Sequence, residues 1–457
     1  MCLIEFMKPH FKTGRFFVLL LLIISCITYN FPIFISAEEN ELASSKLHAK
    51  YAVLMDADSK RVLYGKNADT PAPMASTTKI MTCVIALEYG SEDLLCTTSS
   101  YAASMPDVQL NAKKGELFYL KDLLYSLMLK SHNDSAVIIA ENVACNYIYQ
   151  VRLGNQPDDA GILNGKNLDY VNFSTNFDTS FLNTLTSEQS KELVSVFTGL
   201  MNYKAALLGC ENTHFVTPNG LDASDESGVH STTAKELAMI MSYCIENENF
   251  LKITQTMQYS FSSYQNKASC ELTPANSYSV SNANAFLNMY DNIISGKTGF
   301  TGDAGYCYTC AYRCDGRTFV VTLLACGWPS NKTYKWQDAR LLLNWARENY
   351  YWQDILKEDF YLKDVSVSNG TSDTIHVSIH DTYQLLLSKN DNVNVVMNVP
   401  ECIEAPVKTG DVIGSVCVYI NDELMYSTPV SSDCTVIRTD YKYFLNKVIK
   451  FFCFIDK

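Results

Sequence analysis

The sequence predicts a mixed α/β (α+β) chain: an antiparallel sheet flanked by helices, a helical subdomain, then a small all-β domain and a C-terminal amphipathic helix. Three observations carry this expectation. Paired strand-like runs, Tyr51–Met55 with Arg61–Tyr64 and 304–314 with 317–325, stand at the two ends of a long segment. Within that segment apolar residues recur at helical spacing from Leu120 to about Cys145, from Ser187 to Leu208 and from 232 to 246. Beyond Phe360 the period shortens to two, in brief runs such as Val365-Ser366-Val367 and Ile375-His376-Val377-Ser378-Ile379 separated by turn residues. A chain of 457 residues is too long for one core to serve.

Taken in order, the N-terminus carries Lys8, Lys12 and Arg15, an unbroken apolar run from Phe16 to Ile24, and a mixed stretch to Ser36-Ala37 ahead of Glu38-Glu39. A basic region, an apolar region, a small residue and an acidic start make residues 1–37 a secretory signal peptide, which places the chain outside the cytoplasmic membrane. An uncleaved anchor and lipoprotein-type processing at Cys26 are the alternatives. Asp56 to Lys60 joins the first strand pair. Pro73 forbids helix before Ser76, and nearly every position after Lys79 is apolar, so a helix starting at Ser76 is expected to be buried on all sides. Residues 145–186 are rich in Asn and Asp without a clear period, which predicts an insertion or long surface loop. Asp315-Gly316 is a strong hairpin signal, and Arg340 to Tyr350 reads as a closing amphipathic helix. In the tail 441–457, Lys442, Asn446 and Lys450 fall four apart, with Phe444, Leu445, Val448, Ile449, Phe451, Phe452 and Phe454 opposite. That helix is short for a membrane span but suits lying in a membrane surface, packing on the preceding domain being the other option.

The net charge of −13 argues against a nucleic-acid partner. Sixteen cysteines are scattered singly through helix-like and strand-like runs. In the tightest cluster, a strand points Cys310 and Cys314 the same way but about 13 Å apart, too far for a disulfide, with Cys307 on the other face. Most are therefore expected to be small buried hydrophobes.

The chemistry begins at Ser76-x-x-Lys79. Residues three apart share a helix face, and an amine near the core loses hydration, which favours the neutral form able to take a proton from the serine. Alone the pattern is short and common and is better explained by a capping serine and a snorkelling lysine. Two further signals raise it above that: Ser131-His132-Asn133, a hydroxyl and a carboxamide in a turn after the helix from Leu120, and Ser295-Gly296-Lys297-Thr298-Gly299-Phe300 entering a strand. There Lys297 and Thr298 offer a cation and a hydroxyl to a carboxylate. Gly299 permits close backbone approach, and the amide beyond it can donate to an oxyanion.

The set Ser-x-x-Lys, Ser-x-Asn and Lys-Thr-Gly resembles that of the penicillin-binding proteins and serine β-lactamases. Pro73-x-x-Ser76-x-x-Lys79, Thr213-His214-Phe215-x-x-Pro218-Asn219-Gly220-Leu221, His230-Ser231-Thr232-Thr233-Ala234 and Gly296-Lys297-Thr298-Gly299-Phe300-Thr301 look like the low-molecular-mass D-alanyl-D-alanine carboxypeptidases. The resemblance implies a transpeptidase/β-lactamase-like catalytic domain at 47–350, a small β-rich domain at 358–438 and a membrane-anchor helix at 441–457. It implies Ser76 as nucleophile, Lys79 as general base and Ser131 as proton relay. Asn133 would hold the substrate amide, and Lys297 and Thr298 the terminal carboxylate. Gly299 and Phe300 complete the substrate edge, with the amides of Ser76 and Phe300 forming the oxyanion hole. No cofactor and no metal are implied. The implied partners are the peptidoglycan stem peptide, β-lactam antibiotics and a membrane surface.

Three departures stand out. His132 occupies a position where close relatives usually carry glycine, and would narrow the cleft or add a group titrating near pH 6.5. Residues 145–186 follow directly on the second motif. Where relatives use an arginine near the closing helix, this chain offers Lys332 and Lys335, which lack the bidentate fork. A β-lactamase or related esterase, with Glu141 or Glu188 as deacylating carboxylate, and a peptide-binding protein without turnover remain the alternative readings.

Overall fold

The computed structural model describes residues 42–158, 160–172, 178–266, 272–357 and 362–453. The chain divides into two units, Met1–Lys46 and Leu47–Lys457. In the first, the described part holds one short 3-10 turn at Ser44–Lys46. The expected signal peptide lies outside the described residues.

In the second unit a five-stranded antiparallel sheet runs in the order Val62–Lys66, Tyr51–Asp56, Arg317–Leu324, Gly305–Cys314, Ile293–Thr301. Its middle strand, Arg317–Leu324, is buried at every position because helices cover both faces, which is why that run shows no alternation. Asp315 and Gly316 have φ of 52° and 72°, as a tight turn matching strand twist requires, and set Cys314 opposite Arg317. The edge strand Ile293–Thr301 carries the Lys297 motif.

The helix Lys79–Tyr89 is buried from Lys79 to Ala86, as its apolar composition predicts. Ser76 does not cap it. A 3-10 turn at Ala75–Thr78 precedes the helix and its capping position is Met74, so the serine hydroxyl is left for other partners. The helical subdomain pairs Asn133–Arg152 with Ser187–Leu207, the latter started by a Thr186/Gln189 capping box. The helix from Asn133 continues through Arg152, into the stretch expected to be loop. Ile148 is fully buried there and Tyr147 nearly so, and these side chains hold the extra turns on the core.

A second sheet orders Leu95–Thr97, Leu117–Tyr119, Gln258–Asn266 and Leu272–Ser281. Its long hairpin has a serine-rich sequence that hides its strand character. The ordering comes from an aromatic stack in which Tyr259 lies 3.7 Å from Tyr125 and Phe261 lies 5.4 Å from Tyr278. The closing helix begins earlier than expected, spanning Tyr334–Asn349.

From Val365 to Ser432 the chain is all β, with a core of its own formed by residues such as Val365, Ile375, Leu385, Val418 and Val430. The strand Tyr351–Leu356 follows the closing helix directly and pairs with Tyr383–Leu387. Across this joint Arg61 pairs with Asp391 and donates to the Leu386 carbonyl at 2.9 Å, while the Tyr350 hydroxyl donates to Leu63 O at 3.0 Å. The helix Tyr441–Cys453 leaves Tyr441, Phe444, Leu445, Val448, Ile449, Phe451 and Phe452 exposed. Among the described residues no helix is long and apolar enough to cross a membrane. Cys307 and Cys310 are free and buried, as expected of small hydrophobes, whereas Cys402 and Cys434 are free and exposed.

Candidate active site

Three segments distant in sequence meet beside the edge strand. Lys79 Nζ lies 2.9 Å from Ser76 Oγ, 2.9 Å from Asn133 Oδ1 and 2.5 Å from the Asn219 carbonyl. Lys297 Nζ donates to Ser131 Oγ at 2.8 Å and to the Thr298 carbonyl at 2.8 Å. The two lysines and Asn133 are buried, whereas Ser76, Ser131 and Thr298 are half-buried and reach the cleft. The pattern of a hydroxyl at the surface with its amine behind it therefore occurs twice.

Burial sets the charge state of both amines. Lys79 is held well below the usual lysine range by loss of hydration, helped by the positive charge of Lys297 and opposed by Asp134. Burial brings Lys297 down to about 7. Burial thus favours the neutral form of both amines, and for Lys79 the charge of Lys297 adds to it.

Backbone geometry presents the two hydroxyls. Ala75 has φ of 48° immediately before Ser76, and Ser131 itself has φ of 69°, at the end of a π turn spanning Ser126–Lys130. Left-handed backbone at non-glycine residues is costly and is held here by the surrounding packing. On the other wall, a Cβ added at Gly299 would sit 2.9 Å from the Ser76 amide nitrogen. Only a glycine lets the edge strand lie this close to the nucleophile turn. Phe300 beyond it is 42% exposed.

Asn133 has a tighter environment than its spacing suggests. Its amide donates to the carbonyls of Pro106 and Asp107, each at 3.1 Å, while its carbonyl takes Lys79. His132 does not titrate near 6.5. Its ring is buried, Nδ1 lies 2.8 Å from Ser126 Oγ, and burial, then the charge of Lys130, bring it down to about 4. Glu141, one of the two carboxylates considered for deacylation, is fully buried and accepts from Ser99 at 2.8 Å, with burial pushing it up to about 8. Lys335 does not fill the arginine's place as a free cation: it lies 4.6 Å over the Tyr306 ring and donates to Lys332 O.

Two contributors carried no readable role in the sequence. The Asn219 main-chain carbonyl is the third partner of Lys79, and a Cβ at Gly220 would come 2.0 Å from the Ala75 carbonyl, so this loop packs directly on the nucleophile turn. Buried His230 joins them: Nδ1 accepts from the Val216 amide at 2.9 Å, leaving Nε2–H to bond Thr78 Oγ1 at 2.8 Å. Both residues sit in motifs quoted above, but a main-chain acceptor has no side-chain signature.

The family profile described as D-alanyl-D-alanine carboxypeptidase matches residues 37–172 and 193–325. This chain belongs to that family. A second profile, the C-terminal domain of penicillin-binding protein 5, matches residues 350–438. D-alanyl-D-alanine carboxypeptidase DacF of Bacillus subtilis is 23% identical over 427 residues, covering 92% of this chain and 94% of the relative. DacB2 of Mycobacterium tuberculosis is 26% identical over 299 residues, covering 64% of this chain and 80% of that one. Penicillin-binding protein 5 of Haemophilus influenzae shares the fold with a TM-score of 0.59 at 20% identity, over 87% of this chain and all of the other. The family membership accounts for the mixed catalytic body followed by an all-β domain, and makes this chain a carboxypeptidase-type hydrolase.

Proposed function

We propose that the chain is an exported serine-type D-Ala-D-Ala carboxypeptidase that trims peptidoglycan stem pentapeptides through an acyl-enzyme and is acylated by β-lactams at the same serine. The observation that carries this is the desolvated Lys79 amine 2.9 Å from Ser76 Oγ. Neutral Lys79 accepts the Ser76 proton as Oγ attacks the carbonyl of the penultimate D-alanine. The tetrahedral oxyanion forms against the amides of Ser76 and Phe300; the close approach of Gly299 to the Ser76 amide supports this reading. Ser131 passes a proton to the departing D-alanine nitrogen, the C–N bond breaks, and an ester to Ser76 remains. Water then attacks that ester with Lys79 again as base, releasing the shortened peptide and restoring the serine. Lys297 and Thr298 take the terminal carboxylate. Asn133 holds the substrate amide by exchanging one of its two backbone carbonyl partners for that of the substrate.

Export rests on the N-terminal signal pattern, and peripheral attachment on the exposed aromatic face of Tyr441–Cys453 with Lys442, Lys447 and Lys450 on the same helix. Fluorescent penicillin labelling is the first test. Labelling is expected in the wild-type chain and absent in Ser76→Ala; labelling that survives the substitution overturns the assignment. Release of D-alanine from a diacyl-Lys-D-Ala-D-Ala peptide separates turnover from binding alone. Co-sedimentation with anionic vesicles, lost on removing 441–457, tests the attachment.

A further inference from the structure

A cavity of about 330 Å³ opens at the joint between the catalytic body and the all-β domain, lined by Asp56, Asp58, Ser59, Trp352, Tyr383 and Gln384, with Leu385 and Met425 behind. It stands apart from the Ser76 cleft: Asp56 pairs with Phe319 at the far end of the sheet from Tyr51 and Leu324. The size is at the lower end of the roughly 300–1,000 Å³ seen for small-ligand sites, which occur preferentially between domains.

The walls are fixed. Arg61 ties the hairpin that holds Asp56 to Asp391 and to the Leu386 carbonyl, and the strand carrying Trp352 pairs with the one carrying Tyr383. The Tyr383 ring stacks on Tyr426 at 4.3 Å and 5°, and Tyr426 is in turn bonded to Asp381. Trp352 is anchored through its indole nitrogen to Gly316 O at 3.3 Å, yet 38% of it remains exposed. An indole at a domain joint, held by its polar edge with part of its surface still open, is shaped to receive something.

We infer that this cavity is a saccharide subsite that takes one or two rings of a neutral hexosamine-type glycan, stacking their C–H faces on Trp352 and Tyr383 and bonding their hydroxyl and amide groups to Asp58, to Ser59 and to the side-chain carbonyl of Gln384, whose amide nitrogen is held by Asp354. Aromatic faces are electron-rich and attract the polarised C–H groups of a sugar ring, while carboxylate, hydroxyl and amide groups at the rim match its hydroxyls. No basic side chain lines the cavity, which disfavours phosphates and other anions. A cationic ligand fits less well. Asp56 is fully buried and occupied by the Ser59 hydroxyl and by the amides of Asp58 and Ser59, and burial raises its proton affinity, so a single free carboxylate remains. The inference deepens the proposed function, because the stem peptides of that substrate hang from a glycan and a second contact would tether the enzyme to the polymer it trims.

The test uses the full chain and N-acetylglucosamine oligomers, followed by calorimetry and tryptophan fluorescence. Saturable binding below about 10 mM is expected, weakened at least roughly tenfold in Trp352→Ala and Asp58→Asn, with circular dichroism and thermal unfolding reporting that each variant is folded. Absence of saturation in the wild-type chain overturns the inference, as does binding indifferent to both substitutions, or binding of a lysine amide in place of the sugar. Ser76→Ala, silent in penicillin labelling, is expected to bind the oligomer as wild type does. A failure of the acyl-enzyme reading and a failure of the saccharide reading therefore give different results.

Discussion

The two walls of the cleft use the same parts and differ in how tightly they hold them. On one, Lys79 is fully buried with three oxygen partners, Ser76 Oγ, Asn133 Oδ1 and Asn219 O; on the other, Lys297 has two, Ser131 Oγ and the Thr298 carbonyl. None of these partners is a carboxylate, so nothing opposes desolvation strongly and both amines lose affinity for the proton. The second cation lowers Lys79 further. Both amines are desolvated alike, and Lys79 alone also feels the charge of the other; in the proposed mechanism this suits Lys79 to act as base and Lys297 to receive a carboxylate.

Four changes break or sharpen that contrast. Lys79→Ala removes the base and should slow acylation by a penicillin roughly a thousandfold, measured by labelling rate, while the chain stays folded. Gly299→Ala puts a Cβ 2.9 Å from the Ser76 amide, so the walls must part; a drop of about a hundredfold in acylation with little change in melting temperature is expected.

Lys297→Arg separates the two titrations. Rate rises with pH as Lys79 loses its proton, and in the wild-type chain it falls again as Lys297 loses its charge around 7 and with it the hold on the carboxylate. Because the two amines interact, the limbs belong to the pair. An arginine stays charged throughout, so the alkaline limb of kcat/KM should disappear while the maximum changes about tenfold or less. A limb that persists would place it on another group. The smallest effect is expected at His132. Pushed down to about 4, it is already neutral across the working range, so His132→Gln should leave the pH profile between about 5.5 and 8 unaltered.

Much of this site was legible because its working groups are side chains in short local patterns. Ser76 and Lys79 share a helical turn, Ser131 and Asn133 flank one residue, and Lys297, Thr298 and Gly299 are consecutive. The Asp315-Gly316 hairpin and the all-round burial of the Lys79 helix were legible for the same reason: local chemistry restricts backbone and periodicity reports surroundings. The hairpin Gln258–Ser281 was not, since aromatic stacking across elements orders it where apolar alternation is weak. The helical turns to Arg152 were missed because their burial depends on what packs against them.

By itself the sequence determined which groups can react and that they fall in three segments. Tertiary structure alone decided how they are tuned: that Asn219 lends a main-chain oxygen to Lys79, that His230 locks Thr78, that burial lowers His132 and that both lysines are desolvated. Those outcomes depend on distance, desolvation and main-chain atoms, which exist only once strands and helices far apart in the chain have closed around the same few ångströms.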